Sequence, residues 1–571
     1  MTFISPIRVE DEGPLDAKIL LVGEAPGGEE EKEGRPFIGE SGNILTNVLL
    51  RNGLRREDVR LANLCHYRPQ GNKFETLLDT PQLTEGIQEL YAHIRLHRPQ
   101  LIIPLGNWPN FFITGKGKLT KKKDKLSISG IMNWRGSILS THPKVLGDAN
   151  ALAIKAIPTV HPAAVLRDRL LYPTFDQDIH RASLDADYPE RRLPERRFII
   201  APKHDELEYW VNELLKADKL AVDIENVRAS SQLLCVGFAP SPTLGVCIAY
   251  DPTSAVVRDA LDRILSSPVP KIFHFGTHDT ELLRLNGYTV NNYAWDTLVA
   301  QHVMWPELPR SLAYITSIHT REPYYKDMVK EDDSDTKAWS AKINRETLYA
   351  YNCKDVCCTI ECQIEQEREM KEGPKNWKKF FDFEMALLAP AHAIMQTGLL
   401  VDPKRRDVIA NAVEKNIHDQ QLALNQLVGV VVNVNSPPQI QTLLYEALKL
   451  PKRHKRSKDG PKLTADEDAI LASAALCKEK IDSLSRKDAI NEWKRKLAIL
   501  RLIILIRGGR KMKSSYLDVA LSPDGRARSR VKVAATDTAR WAMEKYVDNT
   551  GLNAQTFPRE GVEVPEEELT T

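Results

Sequence analysis

The sequence predicts a multidomain α/β protein, and three observations lead there. A chain of 571 residues is too long for one core, because domains usually run to roughly 100–200 residues. Two long stretches alternate apolar strand-like runs with helical patterns, one opening at Lys18-Ile-Leu-Leu-Val-Gly23 and the other at Phe198. Between them, Asp185–Arg197 is charged and interrupted by Pro189 and Pro194, as a linker is.

The first portion, residues 1–184, sets the strand at Lys18–Gly23 and a second at Leu101-Ile-Ile-Pro-Leu-Gly106 among helical patterns, which predicts an α/β unit. The second portion, residues 198–370, predicts strands near Lys219, Leu234 and Lys271 with helices between them. The third, residues 375–571, is mostly helical. Its patterns run over Phe381–Thr397, Arg405–Leu427, Ser436–Leu448 and a long charged stretch Leu476–Ile506, with a basic interruption at Pro451–Lys458. No internal repeat is evident.

A formal net charge of only +2 means that any nucleic-acid surface must be local rather than global. The densest basic run, Lys116–Lys125, reads as a solvated loop, with a phosphate contact as the alternative. Eight cysteines form no disulfide framework, which predicts a cytoplasmic protein. Cys353, Cys357, Cys358 and Cys362 crowd into one segment, but without a CxxC pair or a nearby histidine they read as small buried hydrophobes. No charged-then-apolar leader is present, and Leu497–Ile506, broken by Arg501, is far too short to span a bilayer, so no membrane is expected.

The chemistry lies in the acids. In Lys219-Leu-Ala-Val-Asp-Ile-Glu225 the period of a strand puts Asp223 and Glu225 on one face, two residues apart, where two carboxylates can grip hard cations. Asp279 and Asp355 add two more acids from later elements, and such a cluster calls for a cation to neutralise it. Tyr351, four residues before Asp355, shares a helical face with it. Two-metal phosphodiester hydrolysis uses ions about 4 Å apart, so the constellation reads as a nuclease holding two Mg²⁺ or Mn²⁺ ions. In order and spacing it resembles the DEDD superfamily of 3′-to-5′ exonucleases, in particular the proofreading domain of family A DNA polymerases. That resemblance implies a ribonuclease H-like fold, with Asp223, Glu225, Asp279 and Asp355 as metal ligands and Tyr351 orienting the attacking water. Asp296, where these domains often carry an acid, reads as structural. Phe275 stands where the second motif commonly has asparagine.

In the first portion, Gly23-Glu24-Ala25-Pro26-Gly27 follows directly on a strand, a turn that can cradle phosphate on backbone N–H groups. With Gly34–Gly42, Asn63 and His161-Pro-Ala-Ala-Val-Leu-Arg167 it resembles the family 4 uracil-DNA glycosylases. These enzymes must flip the base from the stack and hold its face and edge. By resemblance Phe37 stacks on the base, Asn63 reads its polar edge, Glu24 positions water, His161 stabilises the uracil anion and Arg167 takes a phosphate. Family 4 enzymes usually hold an iron-sulphur cluster on four cysteines, two of them ahead of the first strand. This chain has none before Cys65, so no iron-sulphur cluster is expected. The resemblance leaves two readings, an active glycosylase or a DNA-binding module that kept the fold.

The third portion resembles the start of the family A polymerase region at Gly398-Leu-Leu-Val-Asp402 and its thumb at Asn435–Gln441 and Leu463–Asp468. In Arg507–Tyr516 the resemblance implies that Arg510, Lys511 and Lys513 contact duplex phosphates. Thr538-Ala-Arg540 stands where that family has Thr-Gly-Arg, with Ala539 in place of glycine and Arg540 as a further DNA contact. The later aspartate motifs do not follow before Thr571, so a partial polymerase domain, thumb and start of palm, is expected that does not polymerise alone. A second polypeptide carrying those motifs, or an interrupted gene, would account for it. The whole order resembles phage DNA polymerases with a glycosylase-like domain ahead of the exonuclease. The expected partners are a single-stranded 3′ end and primer-template duplex. The competing readings are a uracil-DNA glycosylase repair enzyme and a non-catalytic DNA-binding subunit completing a split polymerase.

Overall fold

The computed structural model describes residues 4–122, 125–227, 229–328, 344–457 and 460–557. The centre of the Lys116–Lys125 run, Lys458, Pro558 and the acidic end Val564–Thr571 lie outside the described residues. The chain forms two compact units: one of residues 1–388 with 533–540, and one of residues 389–532 with 541–571. No described helix is long and apolar enough to cross a membrane.

Among the described residues the first unit carries two main sheets. The amino-terminal one takes β1 (Ile19–Gly23), β2 (Arg60–Asn63) and β3 (Leu101–Pro104), then, after the hairpin β4 (Lys118–Lys122) and β5 (Lys125–Ser129), β6 (Leu139–Ser140) and β7 (Lys155–Ala156). Its order is β2-β1-β3-β7-β6, parallel except at β6. Every residue of β1 and β3 is buried, as central parallel strands require. Helices cover both faces, with Leu45, Val48 and Leu49 of Glu40–Arg51 on one and Leu90 and Ile94 of Pro81–His97 on the other.

The second sheet takes β8 (Arg197–Ile200), β9 (Leu220–Asn226), β10 (Leu233–Ser241), β11 (Leu244–Ala249), β12 (Lys271–Phe273) and β13 (Tyr293–Asp296), in the order β13-β12-β9-β10-β11-β8. Strands appear near Lys219, Leu234 and Lys271 as the sequence predicts. The helix Arg345–Glu372 packs across β8 to β12.

Inside this unit the two sheets are joined by buried polar contacts. Arg135 and Asp178, each 1% exposed, form an ion pair within the amino-terminal portion, and the same guanidinium crosses to donate to Ser317 Oγ at 2.8 Å. Thr174 and Tyr314 share a hydroxyl hydrogen bond of 2.7 Å, and Arg321 pairs with Asp185 at 2.7 Å.

The second unit is mostly helical, around Val413, Ile417, Leu444, Ile470, Leu500 and Ile503. The long helix predicted over Leu476–Ile506 is two helices, Glu467–Ser483 and Lys487–Met512. Leu484 and Arg486 are extended there, and the two helices pack on each other through Ile470 and Cys477 and through Ile499 and Ile503. Burying both apolar stripes requires the chain to turn back, although neither glycine nor proline marks the turn. The basic interruption forms the hairpin β15–β16, His454–Ser457 with Gly460–Leu463, following the short β14 (Leu399–Leu400).

Candidate functional site

Strand β9 lies inside its sheet, parallel to β12 and antiparallel to β10. Its alternation turns Asp223 and Glu225 toward the helix Arg345–Glu372, which carries Tyr351 and Asp355 one turn apart. Two glycines allow the helix so close. A Cβ on Gly237 would lie 2.2 Å from Asn352 Oδ1, and one on Gly245 would lie 2.8 Å from the Cys353 carbonyl oxygen. The helix starts at Asn344, whose side chain accepts the N–H groups of Glu346 and Thr347.

Asp223, Glu225 and Asp355 thereby bring carboxylate oxygens within 4.8 Å of one another. Asp279, in the first turn of the helix Thr277–Leu285, stands beside the trio and accepts the Ile224 N–H at 3.2 Å, between the two acids of the strand. Asn352 Nδ2 donates to Asp223 Oδ2 at 2.8 Å. Burial, then the charges of Asp355 and Asp279, push the Asp223 carboxyl well above the usual carboxylate range. Burial and then Asp223 do the same to Glu225, and burial and then Asp355 raise the Tyr351 phenol. Three acids, Glu225 and Asp355 buried and Asp223 half-buried, offering only oxygen donors in so small a space fit a hard divalent cation.

Asp296 is occupied elsewhere. Its Oδ1 accepts the N–H groups of Phe275 at 3.1 Å and Leu298 at 2.8 Å, and its Oδ2 accepts from Gly276 N–H at 3.0 Å and Tyr293 OH at 2.5 Å. This carboxylate fixes the turn, with Phe275 at φ 60°, that leads into the helix of Asp279.

Among the described residues, three further side chains are seen to reach the acid site. Besides Asn352, these are Tyr325, whose OH donates to Asp355 Oδ1 at 2.5 Å, and Lys326. The Lys326 ammonium lies 2.6 Å from Asp355 Oδ1, 2.5 Å from Oδ2 and 2.8 Å from Tyr351 OH. Asn352 has the one available sequence signal, its place beside Tyr351. Tyr325 and Lys326 fall between motifs, where neither spacing nor residue type sets them apart.

In the amino-terminal sheet, Glu24, Phe37, Asn63, His161 and Arg167 line one cavity of about 540 Å³. The loop after β1 is held by Glu30, which accepts from Gly27 N–H at 3.1 Å and Gly39 N–H at 3.3 Å, and by Arg56, which donates to the Phe37 carbonyl at 2.8 Å. Phe37 sits at φ 52° with its ring against β1, where a Cβ on Gly23 would meet Phe37 Cζ at 2.5 Å and Asn63 Oδ1 at 2.6 Å. Glycine is required there for the ring and the amide to converge. Burial and then the charge of Glu75 raise the Glu24 carboxyl to about 7. Burial and then Arg167 lower His161 to about 4. Its Nδ1 accepts the Ala163 N–H at 3.1 Å, so the neutral ring carries its proton on Nε2 and is a donor there. Cys65 is buried, and a single thiol does not fit a cluster that needs four.

The basic residues of the third portion differ among themselves. Lys511 and Arg540 are exposed. Lys513 is paired with Asp518 at 2.8 Å and Glu414 at 3.5 Å, and Arg510 donates to Gln421 Oε1 at 3.1 Å. Ala539, in the glycine place of the Thr-Ala-Arg motif, adopts φ 59°.

The uracil DNA glycosylase superfamily model matches residues 10–181, and a 3′-5′ exonuclease model of the DNA polymerase A type matches residues 198–369. A type-4 uracil-DNA glycosylase of Thermotoga maritima is 38% identical over 163 residues, 28% of this chain and 72% of that one. The DNA polymerase of Bacillus phage SP01 is 25% identical over 236 residues, 40% of this chain and 22% of that one. DNA polymerase I of Synechocystis is 24% identical over 242 residues, 39% of this chain and 24% of that one. The chain thus spans about a quarter of the polymerases it matches.

Proposed function

The chain belongs to the uracil-DNA glycosylase superfamily through residues 10–181 and carries a 3′-5′ exonuclease domain over residues 198–369, and we propose that it trims DNA 3′ ends at the acid site. The observation that carries this is the trio Asp223, Glu225 and Asp355, with carboxylate oxygens within 4.8 Å of one another. Bound there, two Mg²⁺ or Mn²⁺ ions would supply an activated water and hold the leaving oxygen. Asp223, Glu225, Asp279 and Asp355 would hold them. Tyr351, one helical turn from Asp355, would orient the water by its phenol. Basic side chains at Arg510, Lys511, Lys513 and Arg540 would grip duplex phosphates within residues 375–571, giving salt-dependent and sequence-independent binding. The test is release of 3′ nucleotides from single-stranded DNA with Mg²⁺. Release that persisted unchanged in Asp223→Ala would remove the acid site from catalysis.

A second activity, uracil excision within residues 1–184, is favoured by the convergence of five residues on one cavity. Phe37 would face the base and Asn63 its edge, while the Nε2 proton of neutral His161 would meet the oxygen that gains charge as the glycosidic bond breaks. Glu24 would hold the water and Arg167, at the exposed rim, a phosphate. Abasic sites formed in uracil-containing DNA, and lost with His161→Ala, would support this. Uncut DNA with the wild-type chain would leave the pocket as a binding module.

A further inference from the structure

Lys326 reaches the acid site from a segment outside its strand and helices. The ammonium is within hydrogen-bond distance of both oxygens of Asp355 and of the Tyr351 hydroxyl. It also sits 4.6 Å from the Tyr351 ring centre and 5.1 Å from that of Tyr325. Both rings are buried, and Tyr325 ties the segment down through its own bond to Asp355. The lysine side chain is 20% exposed. A cation is thus built into the acid cluster on the same two oxygens that Asp355 offers to a metal ion. An ammonium and a divalent ion on the same two oxygens repel each other at such a distance, so each weakens the hold of the other.

We infer that Lys326 is a further positioning residue of the exonuclease site, whose ammonium holds Asp355 and Tyr351 in place and competes with a divalent cation for Asp355. The lysine thereby sets the metal concentration at which that side of the site loads. This rests on the exonuclease reading. Two expectations follow from the geometry. Removing the charge leaves the acids mutually repelling, which lowers stability without metal and raises affinity for it. Loading the site with metal releases the ammonium toward solvent.

The experiment uses the full chain, stripped with EDTA, with Mn²⁺ binding followed by electron paramagnetic resonance and calorimetry. Lys326→Met is expected to bind Mn²⁺ roughly 5- to 150-fold more tightly, the range usual for coupling between two ligands, and to melt lower than wild type in EDTA. Lys326→Arg, which keeps the charge, stays near wild type. Should Lys326→Met fail to fold, the wild type decides by itself. Amine labelling read by mass spectrometry should then rise at Lys326 when Mn²⁺ is added. A merely structural lysine would lower stability and leave metal affinity alone. Unchanged or weaker Mn²⁺ binding in Lys326→Met, or labelling indifferent to Mn²⁺, overturns the proposal while wild-type nucleolysis keeps the exonuclease reading. A wild type that neither binds Mn²⁺ nor trims DNA overturns both.

Discussion

Glu24 makes the stability of the glycosylase-like portion depend on pH, and Glu24→Gln isolates the effect. Burial raises this carboxyl from its ordinary 4.5 to about 7, so the folded protein keeps a proton that the unfolded chain has lost. Between those values unfolding releases a proton, and stability falls as pH rises; below 4.5 the contribution is fully present, and above about 7 it is gone. Moving a carboxyl that far corresponds to about 3 kcal/mol, and the residual exposure of Glu24 reduces this to about 2–3 kcal/mol. Glutamine keeps the shape and cannot ionise. The variant should therefore match wild type near pH 4.5 and exceed it by about 2–3 kcal/mol at pH 8, a Tm gain of roughly 4–12 °C for a domain of this size. Thermal unfolding of the full chain from pH 4.5 to 8.5, followed at the amino-terminal tryptophans Trp108 and Trp134 by comparing each with its phenylalanine substitution, gives the curve. A difference between variant and wild type that stayed flat across this range would refute the buried, late-ionising carboxyl.

Arg135→Ala should cost about 3–5 kcal/mol by leaving Asp178 charged and buried, seen as a lower urea midpoint, and Arg135→Met with Asp178→Leu should restore most of it. Gly237→Ala should push the helix Arg345–Glu372 off the sheet, since the new methyl would meet Asn352 Oδ1 at 2.2 Å; a loss of about 1–3 kcal/mol together with lost 3′ nucleotide release is expected, and an active, equally stable variant would disprove the close approach. Ala539→Gly should stabilise by about 0.5–1 kcal/mol, because relief of the left-handed conformation at φ 59° outweighs the added freedom of the unfolded chain, measured by denaturant unfolding.

The parts of the site that were legible in the sequence are those that local geometry fixes. Asp223 and Glu225 share a face because strands alternate, and Tyr351 and Asp355 because helices turn every 3.6 residues, so neither pair needed tertiary knowledge. The pocket residues were legible differently: Glu24, Phe37, Asn63 and His161 are far apart in sequence, and family resemblance rather than periodicity brought them together. The break at Leu484–Arg486 was not legible. The apolar period runs through it without glycine or proline, and only the pairing of Ile470 and Cys477 with Ile499 and Ile503 requires the turn. Arg135 and Asp178 were hidden for a related reason, since a buried ion pair between residues far apart in one portion of the chain leaves no mark on the sequence around either.

Lys326 shows where reasoning from an acid cluster stops. Like charges within 4.8 Å of one another demand a neutralising cation, and from sequence a bound metal is the natural supplier. The demand is one of charge, however, and does not specify the source. Any lysine able to reach the cluster meets part of it, and here one does, from a segment whose residues Tyr324-Tyr325-Lys326-Asp327 resemble any loop. The acids therefore predict that positive charge must come to the site, whereas how much of it the chain supplies depends on which loop folds over them. With Lys326 on Asp355, the site already holds a cation supplied by the chain, and the carboxyl groups of Asp223 and Glu225 are those left for a divalent ion.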